Sequence, residues 1–279
     1  MPLTAPSGAQ RTFAMGSQQV EYCMFEPPAA RATVLFLPGL FAGAWMWTQA
    51  FDYAAQRGYR AVAVNAAFAK IPVLCKDPIA QFRAALDGLL SELPTQPLLV
   101  CGNSLGGLAA LDYAVNGRHP CRVLASGIPG IGKVNLPGLI LQKTPSKEEA
   151  LVVAQAIFHD RTLVSDAMLT DALSCFEREH FAHLLRYLLA VRHYPLLVAI
   201  QRLRRPMTLI WGEQDRITPL GPWEDTLADD IVTGRIAVIR IAACGHSPML
   251  EKPEEFNRHL GSALAALHAP TPETAALPA

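Results

Sequence analysis

The chain has 279 residues, of which 51% are apolar and 17% are charged. This composition supports one large buried core and excludes a chain that is disordered over most of its length. Lysine plus arginine equals aspartate plus glutamate, so the formal net charge is zero. A neutral chain offers no basic face to a nucleic acid and no strong field to steer a highly charged substrate.

Neither a membrane span nor a disulfide framework is predicted. Residues 1–11 contain no apolar segment of the signal-peptide kind, and the most apolar stretch, residues 33–47, is interrupted by Pro38, Gly39 and Gly43. Such a stretch is too short to cross a bilayer. The six cysteines form no C-x-x-C pair, and we interpret them as reduced structural thiols. We expect a cytoplasmic protein.

After a polar lead over residues 1–10, expected to be flexible, short apolar runs alternate with helical patterns. Near-continuous apolarity over strand length is typical of strands that are covered on both faces, as in a parallel sheet. The pattern therefore predicts an α/β fold with a mostly parallel sheet flanked by helices. The predicted strands are Thr33–Leu37, Ala61–Val64, Leu98–Cys101, Arg122–Ser126, Met207–Trp211 and Ile236–Ile241, and the predicted helices are Pro78–Leu93, Leu105–Tyr113 and Glu254–Leu267.

Between residues 133 and 205 the sequence contains helical patterns only. Ser146 begins one helix with a capping-box pattern, and a second helical stretch, Phe176–Leu203, is interrupted at Pro195. We interpret residues 133–205 as a helical cap inserted between two parts of the core, residues 11–132 and 206–267. The alternative is a set of ordinary helices that cover the sheet. Residues 268–279 are expected to form a flexible tail.

The segment 98–107 carries a candidate nucleophile. An apolar strand runs into Gly-Asn-Ser-Leu-Gly, with Ser104 at its centre, and then into a helical pattern. A nucleophile elbow requires this context, because Gly102 and Gly106 leave room for a sharp turn around a strained serine. The helix that follows directs its free N–H groups and positive dipole at the site.

A serine needs a base to become a good nucleophile, and the loop after the last predicted strand offers one. His246 lies in that loop, and Asp215 follows the preceding predicted strand. Asp215 would hold the imidazole in one tautomer and stabilise the imidazolium; Glu213, in the same loop as Asp215, is the alternative acid. The chain order Ser, Asp, His, with each residue at a strand end, favours a catalytic triad of Ser104, Asp215 and His246.

An oxyanion hole needs two backbone N–H donors. Leu105, directly after the candidate nucleophile, is one expected donor. Leu40, in the loop after the first predicted strand, is the other, with Phe41 as the alternative.

Three side chains near these loops are candidate substrate contacts: Phe41, Trp45 and Asn103. Trp45 and the nearby Trp47 have two interpretations. They line the acyl or alcohol pocket, or they begin a helix that packs on the sheet.

Together these residues resemble the α/β-hydrolase superfamily over roughly residues 20–266. The motifs that carry the resemblance are Gly39, residues 102–107, residues 212–215 and residues 245–256. The resemblance implies an α/β-hydrolase fold with a serine nucleophile and a helical cap. Two positions depart from the common pattern. Pro38 stands where most relatives have histidine, and Ser247 stands where carbon–carbon bond hydrolases of aromatic catabolism commonly have tryptophan.

The sequence therefore predicts a hydrolase that cleaves an ester, thioester or lactone of a small, mostly hydrophobic substrate. Carbon–carbon bond hydrolysis and acyl transfer by the same triad are open alternatives, and so is a non-catalytic ligand-binding member of the fold. No cofactor is expected, because the cysteines and histidines lack metal-ligand spacing and no dinucleotide-binding loop with its downstream acid is present. The oligomeric state is left open.

Overall fold

A computed structural model describes residues 3–15, 18–94, 96–134 and 144–268. Within them the chain forms one sheet of eight strands. The strands are β1 (Ala9–Met15), β2 (Gln18–Phe25), β3 (Thr33–Leu37), β4 (Arg60–Val64), β5 (Leu98–Asn103), β6 (Cys121–Ser126), β7 (Met207–Gly212) and β8 (Ile236–Ile241).

Helices connect the strands, and in the described part of the chain none of them is long and apolar enough to cross a membrane. The α-helices are α1 (Thr48–Gln56), α2 (Pro78–Ser91), α3 (Leu105–Asn116), α4 (Lys147–Ile157), α5 (Asp166–Ser174), α6 (Arg178–His193), α7 (Leu196–Gln201), α8 (Gly221–Thr226), α9 (Ala228–Val232), α10 (Pro248–Glu251) and α11 (Pro253–Ala266).

The strand order in the sheet is β1-β2-β4-β3-β5-β6-β7-β8. β2 pairs antiparallel with β1 and with β4, and all other neighbours are parallel. The predicted mostly parallel sheet is confirmed, and the six predicted strands agree with β3 to β8 to within two residues at either end.

The first two strands were not predicted. The expectation of a flexible lead over residues 1–10 is wrong for residues 9 and 10, which belong to β1. β1 begins at Ala9, and before it Ser7 Oγ donates a hydrogen bond of 2.6 Å to Asp52 Oδ1 of α1. β1 is an edge strand that buries Phe13 while its neighbour Thr12 is exposed. An antiparallel edge strand with one solvent-exposed face carries polar residues at alternate positions, so it lacks the continuous apolar run of the inner strands.

Alternate residues of the inner strands face opposite sides of the sheet. Leu35 of β3 packs in an apolar cluster with helices α2 and α3, whereas its neighbour Phe36 packs in a second cluster with α1 and α11. All five residues of β3 and all five of β4 are buried. Helices on both faces therefore enclose the sheet, as the continuous apolarity of these strands indicated.

Helices α4 to α7 lie between β6 and β7, and the described residues of this insertion contain no strand. The predicted capping box is confirmed: the Glu149 N–H donates to Ser146 Oγ, and the Ser146 N–H donates to the Glu149 carboxylate. The predicted break at Pro195 is also confirmed, because α6 ends at His193 and α7 begins at Leu196. Residues 135–143 of the expected cap and residues 269–279 of the expected tail lie outside the described residues.

The parallel strands bring distant loops to one edge of the sheet. Ser104 follows β5, Gly127 follows β6, Asp215 follows β7 and His246 follows β8, while Leu40 lies in the loop after β3. Because the carboxyl ends of parallel strands share an edge, these five loops converge on one region.

Candidate active site

Ser104 lies in a sharp turn between β5 and α3, as the elbow pattern predicts. Its backbone has φ 54° and ψ −120°, in the left-handed half of the map that residues other than glycine rarely adopt. A Cβ on Gly102 would overlap the carbonyl oxygen of Gly106, and a Cβ on Gly106 would overlap that of Leu37. The Ser104 N–H donates to the Ser126 carbonyl at 2.8 Å, which holds the strained turn against β6.

Asp215 and His246 are in direct contact. His246 Nδ1 lies 2.8 Å from Asp215 Oδ2, although the residues are 31 positions apart, and His246 and Asp215 are only 5% and 6% exposed. Glu213, the alternative acid, is exposed. The loop after β7 therefore presents Asp215, and not Glu213, to the imidazole.

Thr218 completes the surroundings of the carboxylate. Asp215 Oδ1 accepts the N–H groups of Ile217 and Thr218 at 2.9 Å each, and Thr218 Oγ1 donates to Oδ2 at 2.9 Å. Burial by itself would raise the pKa of Asp215, but the attraction of His246 and these hydrogen bonds outweigh it and hold the pKa below its usual value. Asp215 is thus a carboxylate at neutral pH.

Sequence reasoning missed Thr218. Its signal is the pattern Asp-Arg-Ile-Thr at residues 215–218, in which the side chain of an aspartate accepts backbone N–H groups two and three residues later. Thr218 Oγ1 also lies 3.2 Å from His246 Nδ1, so one hydroxyl contacts both members of the pair.

Asn103, a candidate substrate contact, is 2% exposed and holds protein groups together. Its Nδ2 donates to Ser126 Oγ and to the backbone carbonyl of His246, both at 2.9 Å. Asn103 reaches the cavity wall, but its two amide hydrogens are engaged. The structure thus gives the Asn103 amide a role in fixing the loop of His246, and leaves it no free hydrogen for a substrate.

The two expected oxyanion donors lie beside Ser104. Leu105 is the first residue of α3, where an N–H has no partner within the helix. The Gly39 and Leu40 carbonyls accept N–H groups from the segment 68–69, at 3.5 and 3.1 Å. The Gly39 carbonyl and the Leu40 N–H belong to the same trans peptide, so they point in opposite directions. The Leu40 N–H donates to no described residue.

A cavity of about 570 Å³ opens above Ser104 and His246. Phe41 and Trp45, from the segment between β3 and α1, line one part of it, and apolar residues of α4, α5 and α6 line another. Trp47 does not line it. This residue is 1% exposed and packs against Phe36 and Phe256 in the core. The two tryptophans therefore have different places, Trp45 in the wall of the cavity and Trp47 in the core.

Trp45 also connects the core to the insertion. Its Nε1 donates to Asp171 Oδ2 of α5 at 2.9 Å, and Lys70 Nζ lies 2.5 Å from Oδ1 of the same carboxylate. Phe41 stacks on Phe176, with ring centroids 5.5 Å apart. The aromatic wall of the cavity is therefore held by residues of the insertion.

One group of side chains has the donor set of a metal ligand cluster. The ligand atoms of Glu177, Glu179 and His180 lie within 4.8 Å of one another near the start of α6, and both glutamates are exposed. Solvated clusters of this kind are common without a metal, and none of the three lines the cavity. The six cysteines all lie in the described ranges and are unpaired.

A family model described as the alpha/beta hydrolase family matches residues 34–259. The chain belongs to the alpha/beta hydrolase family. This confirms the resemblance and the fold class that the sequence motifs implied, and with them an enzyme of the hydrolase kind.

Relatives of this alpha/beta hydrolase include carbon–carbon bond hydrolases and an esterase. It is 26% identical over 191 residues to a 2-hydroxy-6-oxo-6-phenylhexa-2,4-dienoate hydrolase of Comamonas testosteroni, a match that covers 62% of this chain and 65% of the relative. It is 32% identical over 189 residues to a pimeloyl-acyl-carrier-protein methyl ester esterase of Aromatoleum aromaticum, covering 61% of this chain and 74% of the relative.

Solved structures share the fold of this alpha/beta hydrolase. A serine hydrolase of Cycloclasticus zankles superposes with a TM-score of 0.76 at 18% identity, covering 94% of this chain and 99% of that chain. A carboxylesterase of Bacillus subtilis superposes with a TM-score of 0.76 at 15% identity, covering 93% and 92%. At these identities the likeness concerns the fold alone.

Proposed function

We propose that this alpha/beta hydrolase is a serine hydrolase that cleaves an ester, thioester or lactone through an acyl-enzyme on Ser104. The observation that carries the proposal is the buried pair of His246 Nδ1 and Asp215 Oδ2, 2.8 Å apart, beside a cavity that also reaches Ser104. An imidazole held at Nδ1 by a carboxylate has its Nε2 available as a proton acceptor, and a serine nucleophile requires such a base.

In the proposed reaction, Ser104 Oγ bonds to the substrate carbonyl carbon while its proton passes to His246 Nε2. The carbonyl oxygen becomes an oxyanion, and its collapse breaks the bond to the leaving group, which takes the proton from His246. An acyl group stays on Ser104. Water then gives a proton to His246 and attacks the acyl carbon; the acid leaves, and the proton returns to Ser104 Oγ. Asp215 stabilises the imidazolium in both halves.

Leu105 and Leu40 are the proposed oxyanion donors, in preference to Phe41. The position of a Cβ on Gly39 would lie 3.7 Å from Ser104 Cβ, so the peptide that joins Gly39 to Leu40 is next to the nucleophile. Two backbone N–H groups fixed at the developing charge are typical of this chemistry, and each is worth about 10²- to 10³-fold in kcat in comparable enzymes.

The substrate is proposed to be small and mostly apolar, and the insertion to be a cap over it. The insertion supplies Ile157, Phe158, Met168 and Leu188 to a cavity of about 570 Å³. A pocket with such walls selects an apolar body and binds polar groups at a few points.

Arg192 of α6 favours carbon–carbon bond hydrolysis as a second candidate function. It is the one residue with a permanent charge among the described residues that line the cavity, and it forms no ion pair with a described residue. The relatives named as dienoate and dienedioate hydrolases act on carboxylates. A carboxylate at one end of a substrate of this alpha/beta hydrolase would meet Arg192 by charge attraction.

The test compares the wild-type protein with Ser104→Ala, His246→Ala and the control Ser262→Ala, in which an exposed serine of α11 is removed. Each protein is treated with a serine-directed phosphonate and then assayed with a short-chain nitrophenyl ester, a thioester and a vinylogous diketone. We expect labelling and turnover in the wild type and the control, and a loss of roughly 10⁴- to 10⁶-fold in kcat for the first two variants.

Full activity of the Ser104→Ala protein would contradict the proposal. Turnover of the diketone alone would favour carbon–carbon bond hydrolysis. If the wild type showed no labelling and no turnover, the result would favour the non-catalytic, ligand-binding alternative that the sequence left open.

A further inference from the structure

Glu251, the last residue of α10, connects the loop of His246 to the insertion. Its Oε1 accepts the Gly245 N–H at 2.7 Å. Its Oε2 accepts the His159 and Asp160 N–H groups, at 2.8 and 3.1 Å, just beyond the end of α4. One carboxylate therefore binds two segments that are far apart in sequence, with a different oxygen for each.

A backbone contact reinforces this connection. The His246 N–H donates to the Ile157 carbonyl at 2.7 Å, at the end of α4. The two segments approach so closely that a Cβ on Gly245 would overlap that carbonyl and lie 2.8 Å from the His159 nitrogen. Ile157 and Phe158 also line the cavity. One of the insertion residues that would touch a substrate, Ile157, therefore accepts a hydrogen bond from His246, and Phe158 is its neighbour in the chain.

The opposite side of the same loop is held by the core alone. The Cys244 N–H donates to Gln214 Oε1, and the Gln214 N–H donates to the Cys244 carbonyl, both at 2.9 Å. Gln214 belongs to the loop of Asp215, so these hydrogen bonds join the loops of Asp215 and His246 without any residue of the insertion. Among the described residues, Glu251 supplies the side-chain hydrogen bonds that join the His246 loop to the insertion.

The charge of Glu251 is met by backbone dipoles. No lysine or arginine in the described ranges forms an ion pair with it. Burial raises the pKa of Glu251, and its three N–H donors oppose that shift. Hydrogen bonds to a half-buried ionised carboxylate are stronger than neutral ones, so their loss would loosen both segments.

We propose that Glu251 is a positioning residue that couples the insertion to His246, so that the base takes its working place only when the end of α4 is docked on the core. This inference rests on the proposed role of His246 as general base. A substrate that packs against Ile157 and Phe158 would stabilise the docked end of α4 and with it the imidazole. The binding of the apolar substrate body would then serve the proton transfer as well as affinity.

The test uses Glu251→Gln, which keeps the shape but leaves one acceptor oxygen for two sets of N–H donors. The matched control is Asp171→Asn, which weakens another contact between insertion and core, at Trp45 and Lys70, that does not touch the His246 loop. Peptide-resolved hydrogen exchange is measured over residues 157–160 and 243–247, with β5 as the internal reference. Steady-state kinetics use an ester that the wild type turns over.

We expect faster exchange at both segments in Glu251→Gln, with kcat lowered about 10- to 100-fold by misplacement of the base and KM changed much less. Asp171→Asn should leave exchange at 243–247 unchanged and should alter KM more than kcat. Glu251→Asp, which keeps the charge but shortens the reach, should fall between the wild type and Glu251→Gln, and it is the variant to use if the glutamine form does not fold.

Wild-type kcat and wild-type exchange at 243–247 in Glu251→Gln would overturn the coupling. So would an equal effect of Asp171→Asn on that segment, because Glu251 would then be one stabilising contact among several. The proposed function fails separately, through activity of Ser104→Ala, and the exchange data do not depend on that result.

Discussion

Gly127 lies against the imidazole ring of His246. It follows β6, has φ +60°, and a Cβ there would lie 2.7 Å from His246 Nδ1 and closer still to Cε1. The loop directly after β6 carries no acid, so its residue types predict no catalytic group. Its contribution is the absence of a side chain, since only glycine lets the ring of His246 occupy its place beside Asp215.

Gly127→Ala should lower kcat by about 10²-fold, because the methyl group would displace the imidazole, and a misplacement of about 1 Å can cost that much. Steady-state kinetics with an active ester would measure it. The control is Gly234→Ala, at φ +73° with open space around its Cβ position. It carries a similar backbone strain without the contact, so an equal loss of activity in both variants would contradict a specific effect on His246.

Asp215→Asn should lower kcat by about 10³- to 10⁴-fold, with a folded protein and little change in KM. An amide at this position cannot hold the imidazole in the required tautomer and cannot stabilise an imidazolium. Kinetics at pH 7 and labelling by the phosphonate would measure the loss. A larger loss of kcat in Glu213→Gln than in Asp215→Asn would contradict the assignment of Asp215 as the acid that orients His246.

The stability of the protein should depend on Asp215 at low pH. The folded-state pKa of Asp215 lies below its usual value. A group of this kind stabilises the folded state above its unfolded-state pKa, and that contribution disappears as the pH falls through the folded-state pKa. The free energy of unfolding of the wild type should therefore decline relative to Asp215→Asn as the pH falls from about 5 toward 3. Denaturant titrations at several pH values would measure the difference, and parallel curves would contradict it.

Thr218→Val should destabilise the ionised Asp215 by removing its hydroxyl donor. A hydrogen bond to a charged group is worth about 1.5 to 3 kcal/mol, and the loss should appear in the free energy of unfolding at pH 7. We expect kcat to fall by about tenfold, because the same hydroxyl contacts His246 Nδ1. Thr218→Ser keeps the donor and should retain most of the wild-type values. Wild-type stability and kcat in Thr218→Val, which keeps the methyl group and loses only the hydroxyl, would contradict the role of the hydroxyl.

Arg192→Gln should reduce kcat/KM for an anionic ester by about fivefold, since an exposed charge pair is worth roughly 1 kcal/mol or less. A neutral ester of the same size should be little affected. The difference should shrink as salt is added, because screening weakens exposed charges. Equal losses with both esters would assign Arg192 to packing and not to charge recognition.

Much of the candidate site could be predicted because each part depends on local sequence. A buried parallel strand has a continuous apolar run, and the residue after it lies at the carboxyl edge of the sheet. The strand pattern alone therefore predicts that Ser104, Asp215 and His246 lie on the same edge. The requirement for Gly102 is similarly local, since a Cβ there would overlap Gly106 of the same turn. The requirement for Gly106 is not local, because a Cβ there would overlap the carbonyl oxygen of Leu37 at the end of β3.

The sequence alone therefore predicts the class of the fold, the order of its inner strands and helices along the chain, and the loops that hold the proposed triad. The contacts that hold these residues in place exist only in the folded chain. Gly127 and Glu251 act across contacts with distant segments, and no local periodicity records such a contact. β1 was missed for a related reason: it is an edge strand with one solvent-exposed face and lacks an apolar run, and it belongs to the sheet only through its pairing with β2, which in turn pairs with β4.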